Sequence, residues 1–176
     1  VEALRDKALP VRIAAVEALG EIRDPRAIDP LIGALIKDYR DVKVVAARTL
    51  ARFHDIRAAE ALVQSLNVIE DDAIAALVSL DQGAVPALLN GIRDSTTRTG
   101  AIKALTFLGP AAVDPLIEVA RHDTNAYAKV AAIAALADID DPRAREALLP
   151  LLEAKNANQI AAGYRYLIRN GKSGTE

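Results

Sequence analysis

Between Val11 and Leu35 the apolar residues fall into two runs at helical period. In the first, Ile13, Val16, Leu19 and Ile22 stand three apart, with Ala14, Ala15 and Ala18 filling between them. That spacing predicts a helix with one broad apolar face. Asp24 and Pro25 then read as an N-cap followed by proline at the first helical position, where its missing N–H is harmless. A second helix follows, with Ile28, Leu31, Ile32 and Leu35 on its apolar side.

The same text recurs. Leu19 has counterparts at Leu50, Leu77, Leu105 and Leu136, and Leu31 has counterparts at Leu62, Leu88, Leu116 and Leu148. The first-helix leucines are 31, 27, 28 and 31 residues apart, while the two leucines of one unit are separated by 12, 12, 11, 11 and 12. One helix-turn-helix unit is therefore copied, with length changes confined to connections. Such a unit cannot bury its apolar face alone, so neighbouring units supply the second wall of the core. The reading is a single repeat domain over 1–176: a tail of a preceding repeat at 1–8, helix pairs at 9–38, 39–67, 68–93, 94–122 and 123–155, then a half-repeat and polar tail at 156–176.

Two places break the pattern. Asp71 and Asp72 stand where other units are apolar, so the third first helix is expected to start later, with those carboxylates at its positive end. The junction between the second and third units is expected to be irregular and to alter the curvature of the stack. Pro30 and Pro115 lie near the starts of second helices and are tolerable there, whereas Pro150 lies deeper and is expected to bend its helix.

Composition narrows the class. The chain is 52% hydrophobic but only 3% aromatic, which implies an aliphatic, alanine-rich core and an all-α fold. A net charge of −2, with both signs spread along the chain, argues against nucleic acid or anionic lipid as the partner. The absence of cysteine removes disulfides and thiolate chemistry and fits a cytoplasmic setting. No apolar run approaches the about 18 residues of a membrane span. The chain has no methionine, not even a start residue, so it is expected to be cut from a longer protein or to have lost its initiator; it is expected to be a monomeric domain.

Val11 to Leu35 matches the pattern VR-x-A-A-x-x-A-L-G-x-I-x-D-x-R-A-x-x-P-L-x-x-A-L almost throughout, and Arg143-Ala144 and Asp114-Pro115-Leu116-Ile117 keep parts of it. In this the chain resembles the HEAT-like repeats first grouped by similarity to phycobilisome lyase subunits. The resemblance implies an α-α superhelix, a right-handed solenoid of antiparallel helix pairs, with second helices lining the concave side where partners dock. The family's basic residue early in the first helix appears as Arg12, Lys43, Arg98 and Lys129, but the third unit has Glu70. Asp6 and Asp123 stand about six positions before two of them, which suggests ion pairs between units.

Candidate chemistry is sparse. His54 and His122 each precede an aspartate but occupy different places in the repeat, and no further histidine completes a metal shell, so both are expected to be solvated. Gly171-Lys172-Ser173 lacks the glycine and strand of a phosphate loop, and Ser79, Ser95 and Thr96 have no histidine base nearby. Tyr164, Arg165 and Tyr166 form the one aromatic cluster, expected to close the end of the core. No cofactor is expected.

Helical period places the outward positions of the second helices at Arg26, Asp29, Arg57, Glu60, Gln64, Asn90, Arg93, Asp114, Glu118, Arg121 and Glu146, with Lys37, Asn67, Arg143 and Glu153 beside them. A face of mixed sign suits a protein or peptide partner. The expectation is a non-catalytic interaction scaffold, with a bilin lyase subunit or chromophore-handling factor as the alternative that the resemblance implies.

Overall fold

The computed structural model describes residues 1–153. The half-repeat read at 156–176, with Tyr164, Arg165, Tyr166 and the Gly171-Lys172-Ser173 segment, lies outside the described residues. Ten α-helices and no strand occur among those described. First helices of the pairs are α1 (Leu9–Ile22), α3 (Arg40–Ala51), α5 (Glu70–Ser79), α7 (Arg98–Leu108) and α9 (Ala126–Asp138). Second helices are α2 (Ile28–Lys37), α4 (Ala59–Ser65), α6 (Val85–Gly91), α8 (Pro110–His122) and α10 (Pro142–Glu153). A 3-10 turn, Glu2–Arg5, precedes them and packs on α1.

The chain forms two compact units, Val1–Ala87 and Leu88–Glu176, and the division falls inside α6. In the first unit α1, α3 and α5 pack side by side as one layer, α2 and α4 as another, and each second helix also packs on the first helix of the next pair. The second unit repeats this with α7 and α9 in one layer and α8 and α10 in the other. Each unit is thus an all-α stack of antiparallel helix pairs, as the leucine register predicts.

The repeated leucines are the centres of that packing. Leu31, Leu62, Leu77, Leu88, Leu105 and Leu116 are fully buried. Each such side chain stabilises the fold by roughly 1.5–3 kcal/mol. Alanines of the first helices, such as Ala46, Ala47, Ala73, Ala76, Ala131 and Ala132, are buried too, which lets neighbouring helices approach closely. Helix α1 departs from its predicted face: Val16 is buried, Leu19 only half-buried, and Ile22 is 68% exposed. Among the described residues α3 is its neighbour in the first-helix layer, and the Glu2–Arg5 turn also packs on it.

The third pair behaves as its aspartates imply. Helix α5 spans 10 residues against 14 in α1 and 12 in α3, and Glu70, Asp71 and Asp72 fill its first turn. There the carboxylates meet the positive end of the helix dipole. Asp72 also accepts a hydrogen bond from Arg48 of α3 at 2.7 Å. Between α4 and α5 the chain runs through turns rather than a regular helix end.

The basic residues early in the first helices do something other than pair with the aspartate before them. Lys43 Nζ donates to the Ile36 carbonyl at 2.8 Å, Arg98 to those of Ile92 and Arg93 at 2.8 and 3.0 Å, and Lys129 to that of Arg121 at 3.2 Å. They close carbonyls that the preceding second helix leaves without a partner at its C-terminal end. Arg12 likewise donates to the Asp6 carbonyl at 2.9 Å, while its carboxylate partner is Asp38, gripped by two bonds of 2.8 Å. Asp123 pairs with Arg93 at 2.5 Å rather than with Lys129. Burial raises the Asp38 and Asp123 carboxyls, yet hydrogen bonds from Arg12 and the Tyr39 amide, and from Arg93 and the Asn125 amide, leave both net below the usual range. In the third unit, where Glu70 replaces the basic residue, Arg40 reaches the Val68 carbonyl at 3.3 Å.

Candidate partner-binding face

The turn between the two helices of a pair is built on a local rule. In three turns an aspartate accepts a hydrogen bond from the amide two residues on; a 3-10 turn and then the second helix follow Asp24 and Asp55, and the second helix itself follows Asp141. Asp24 accepts from the Arg26 amide at 2.9 Å, Asp55 from Arg57 at 2.9 Å, and Asp141 from Arg143 at 2.8 Å. The arginine side chain then folds back onto the same carboxylate, with Nε within 3.1 Å in all three turns. The Arg26 side chain and amide together hold Asp24 down to about 2, and the corresponding contacts lower Asp55 and Asp141.

Held this way, the arginine has a nitrogen left over for the preceding second helix. Arg57 Nη1 donates to Asp29 of α2 at 3.2 Å. Arg143 Nη1 donates to Asp114 of α8 at 2.8 Å, and its Nη2 to the Pro110 carbonyl at 3.1 Å. These rungs tie consecutive pairs inside each unit on the face formed by second helices. They are solvent-exposed and screened, so they fix side-chain position more than they stabilise. Arg26, with a side chain 91% exposed, reaches no further than Asp24.

In the second unit the rung borders a groove of about 700 Å³ between α8 and α10. Asp114, Pro115, Ile117, Glu118 and Arg121 line it from α8, and Arg143, Glu146 and Ala147 from α10. Four of the sequence-predicted positions, Asp114, Glu118, Arg121 and Glu146, therefore meet in one place. Asp114 and Arg143 satisfy each other, whereas the exposed side chains of Glu118, Arg121 and Glu146 have no hydrogen bond or ion pair among the described residues. Such a groove offers charged groups free to bind beside an aliphatic floor.

The remaining predicted positions are dispersed. Glu60 and Gln64 are exposed on α4, in the unit that holds the Asp29–Arg57 rung. Asn90 and Arg93 lie at the end of α6, where the Arg93 side chain is already engaged by Asp123, by the Leu89 carbonyl and by Asn90 itself. Its part is to join a junction. His54, expected to be merely solvated, is exposed but donates from Nδ1 to the Ser79 carbonyl at 2.7 Å. Among the described residues no group of histidine and carboxylate side chains could hold a metal, and no helix is long and apolar enough to cross a membrane.

Sequence reasoning passed over Pro115, Ile117 and Ala147, the apolar part of the groove, because they belong to the inward side of an isolated helix. It also did not connect Arg26, Arg57 and Arg143 with the aspartate two residues before each of them. The signal for more was present: Asp-x-Arg occurs at 24–26, 55–57 and 141–143, always in units whose leucines stand 12 apart.

Comparison with known families agrees with this geometry. Residues 1–81 match the model of HEAT repeats, and residues 128–154 match that of the PBS lyase HEAT-like repeat. No curated protein matches the sequence. The two matches fall on separate stretches joined by one unbroken leucine register, and the chain belongs to the HEAT-like repeat family.

Proposed function

We propose that this chain is a non-catalytic scaffold for protein interactions, as HEAT repeats generally are, and a cytoplasmic domain that binds a polypeptide on its second-helix face. The observation that carries the reading is the α8–α10 groove, where Glu118, Arg121 and Glu146 stay uncommitted while their neighbours are paired. Mixed charge beside aliphatic surface is what a polypeptide segment meets well, and a basic stripe suited to nucleic acid is missing from the lining. The test is affinity capture on the immobilised chain, with captured proteins compared between wild type and the variants Glu60→Lys, Gln64→Lys and Glu118→Lys. Loss of specific bands with Glu118→Lys is expected, and an unchanged set with all three variants sinks the reading.

The match of residues 128–154 to the PBS lyase repeat keeps a second reading, a bilin lyase subunit or chromophore-handling factor. It is tested by mixing the chain with bilin and an apo-phycobiliprotein. A chromophore absorbance change that needs the chain would favour it over the scaffold.

A further inference from the structure

In the chain's own rungs, carboxylates of the second-helix face hold guanidinium groups. Asp29 stands two residues before the buried Leu31 and holds the guanidinium of Arg57; Asp114 stands two before the buried Leu116 and holds that of Arg143. Glu146 occupies the same place before Leu148, yet no such cation reaches it among the described residues. Glu118 lies one helical turn beyond Asp114 on α8 and lines the same groove. Arg143, which lines the groove from α10, cannot neutralise this pair, because Asp141 and Asp114 already take it at 2.8 Å each. Two uncommitted carboxylates therefore flank a space floored by Ile117 and Ala147, against one uncommitted cation, Arg121.

We infer that the α8–α10 groove takes an arginine or lysine side chain of a polypeptide partner, its cation between Glu118 and Glu146 and its methylene stem on Ile117 and Ala147. This rests on the reading that the second-helix face binds polypeptide and adds the chemistry of the bound residue. The carboxylates supply charge complementarity, which steers encounter and sets specificity. The aliphatic floor suits a long side chain that buries its stem and keeps a charged head. Arg121, farther along α8, accommodates an acidic residue of the same segment.

The experiment is a random peptide library displayed on phage, selected against the whole chain and against Glu118→Gln/Glu146→Gln and Glu118→Lys/Glu146→Lys double variants. Thermal unfolding checks that each variant folds. Wild type is expected to enrich peptides with arginine or lysine beside an aliphatic residue, and the lysine variant to enrich acidic ones. A fluorescein-labelled synthetic copy of the best peptide should bind at least about tenfold more weakly when citrulline replaces its arginine, or norleucine its lysine, and to the same extent in the glutamine variant. Enriched peptides without a basic residue, or binding that the glutamine variant leaves within about twofold, overturn the inference while polypeptide recognition stands. Absence of any enriched peptide, together with unchanged affinity capture, overturns both. A dimer seen in sedimentation and dissolved by Glu146→Gln would assign the groove to a second copy and overturn it as well.

Discussion

The turns inside the helix pairs come in two forms, and the difference between them is a single residue. Where the unit's two leucines stand 12 apart, the turn carries Asp-x-Arg: the carboxylate caps the second helix and pins the arginine, which in the second and fifth units also reaches the previous second helix. Where they stand 11 apart, at 81–84 and 109–112, no side chain caps the turn. The chain instead passes through a residue of positive φ, Asp81 at 50° or Gly109 at 56°, and enters the second helix through the 3-10 turn Asp81–Ala84 in the third unit and directly at Pro110 in the fourth. Positive φ also ends the first two first helices, at Arg23 and His54, so the left-handed residue is common to both forms. What the shorter turn loses is the carboxylate after it, and with that the arginine clamp. One residue of length thus decides whether a turn contributes a fixed charge to the second-helix face.

The largest way to break this contrast is at Gly109. Its φ of 56° and ψ of −122° fall in a region essentially reserved for glycine, and an added Cβ would meet nothing closer than the Thr106 carbonyl at 3.9 Å. Gly109→Ala should therefore cost about 1–3 kcal/mol in urea unfolding, from backbone strain and not from collision. Arg23→Gly at the left-handed end of α1 should do the opposite and raise stability by up to about 1 kcal/mol. Equal effects of the same sign would remove the distinction between the two positions.

Next comes the cap. Asp55→Ala should destabilise by about 1 kcal/mol, since it frees the Arg57 amide and unpins its side chain. Gln82→Ala, in an uncapped turn, should leave the urea midpoint unchanged. Acid should read the same cap. Asp24 sits at about 2, and Asp55 and Asp141 are lowered by their arginines. A depressed carboxyl contributes its full stability above its unfolded pKa, near 4, and loses it as pH falls through the folded value. Stability should accordingly drop between about pH 4 and pH 2, less steeply in Asp55→Asn than in wild type. A wild-type curve that is flat or rising toward acid would contradict the clamp.

The smallest effect is expected at the rungs. Arg57→Gln and Arg143→Gln remove exposed pairs with Asp29 and Asp114, and should shift the midpoint less than Asp55→Ala does. Their consequence should appear as altered peptide selection in the α8–α10 groove for Arg143→Gln, with no change for Arg57→Gln.

Much of this molecule was written plainly in the chain. Leucine and alanine spacing is local, repeats in register, and needs no partner to be read, so the helix pairs and the HEAT-like family followed from it, as the all-α class followed from composition and the late start of α5 from Asp71 and Asp72. Helical period also placed Asp114, Glu118, Arg121 and Glu146 on an outward stripe. Only the tertiary structure decided which of those charges are spent. Asp114 is tied to Arg143, 29 residues away, and Arg93 to Asp123, 30 residues away, while Glu118 and Glu146 have no such partner among the described residues. It also sent Arg12 to Asp38 and not to Asp6, and gave the basic residues to helix-end carbonyls. The physical reason is one of range. A helix's own period says which way a side chain points. The partner it meets depends on how two helices from different pairs lie against each other, and no single helix encodes that.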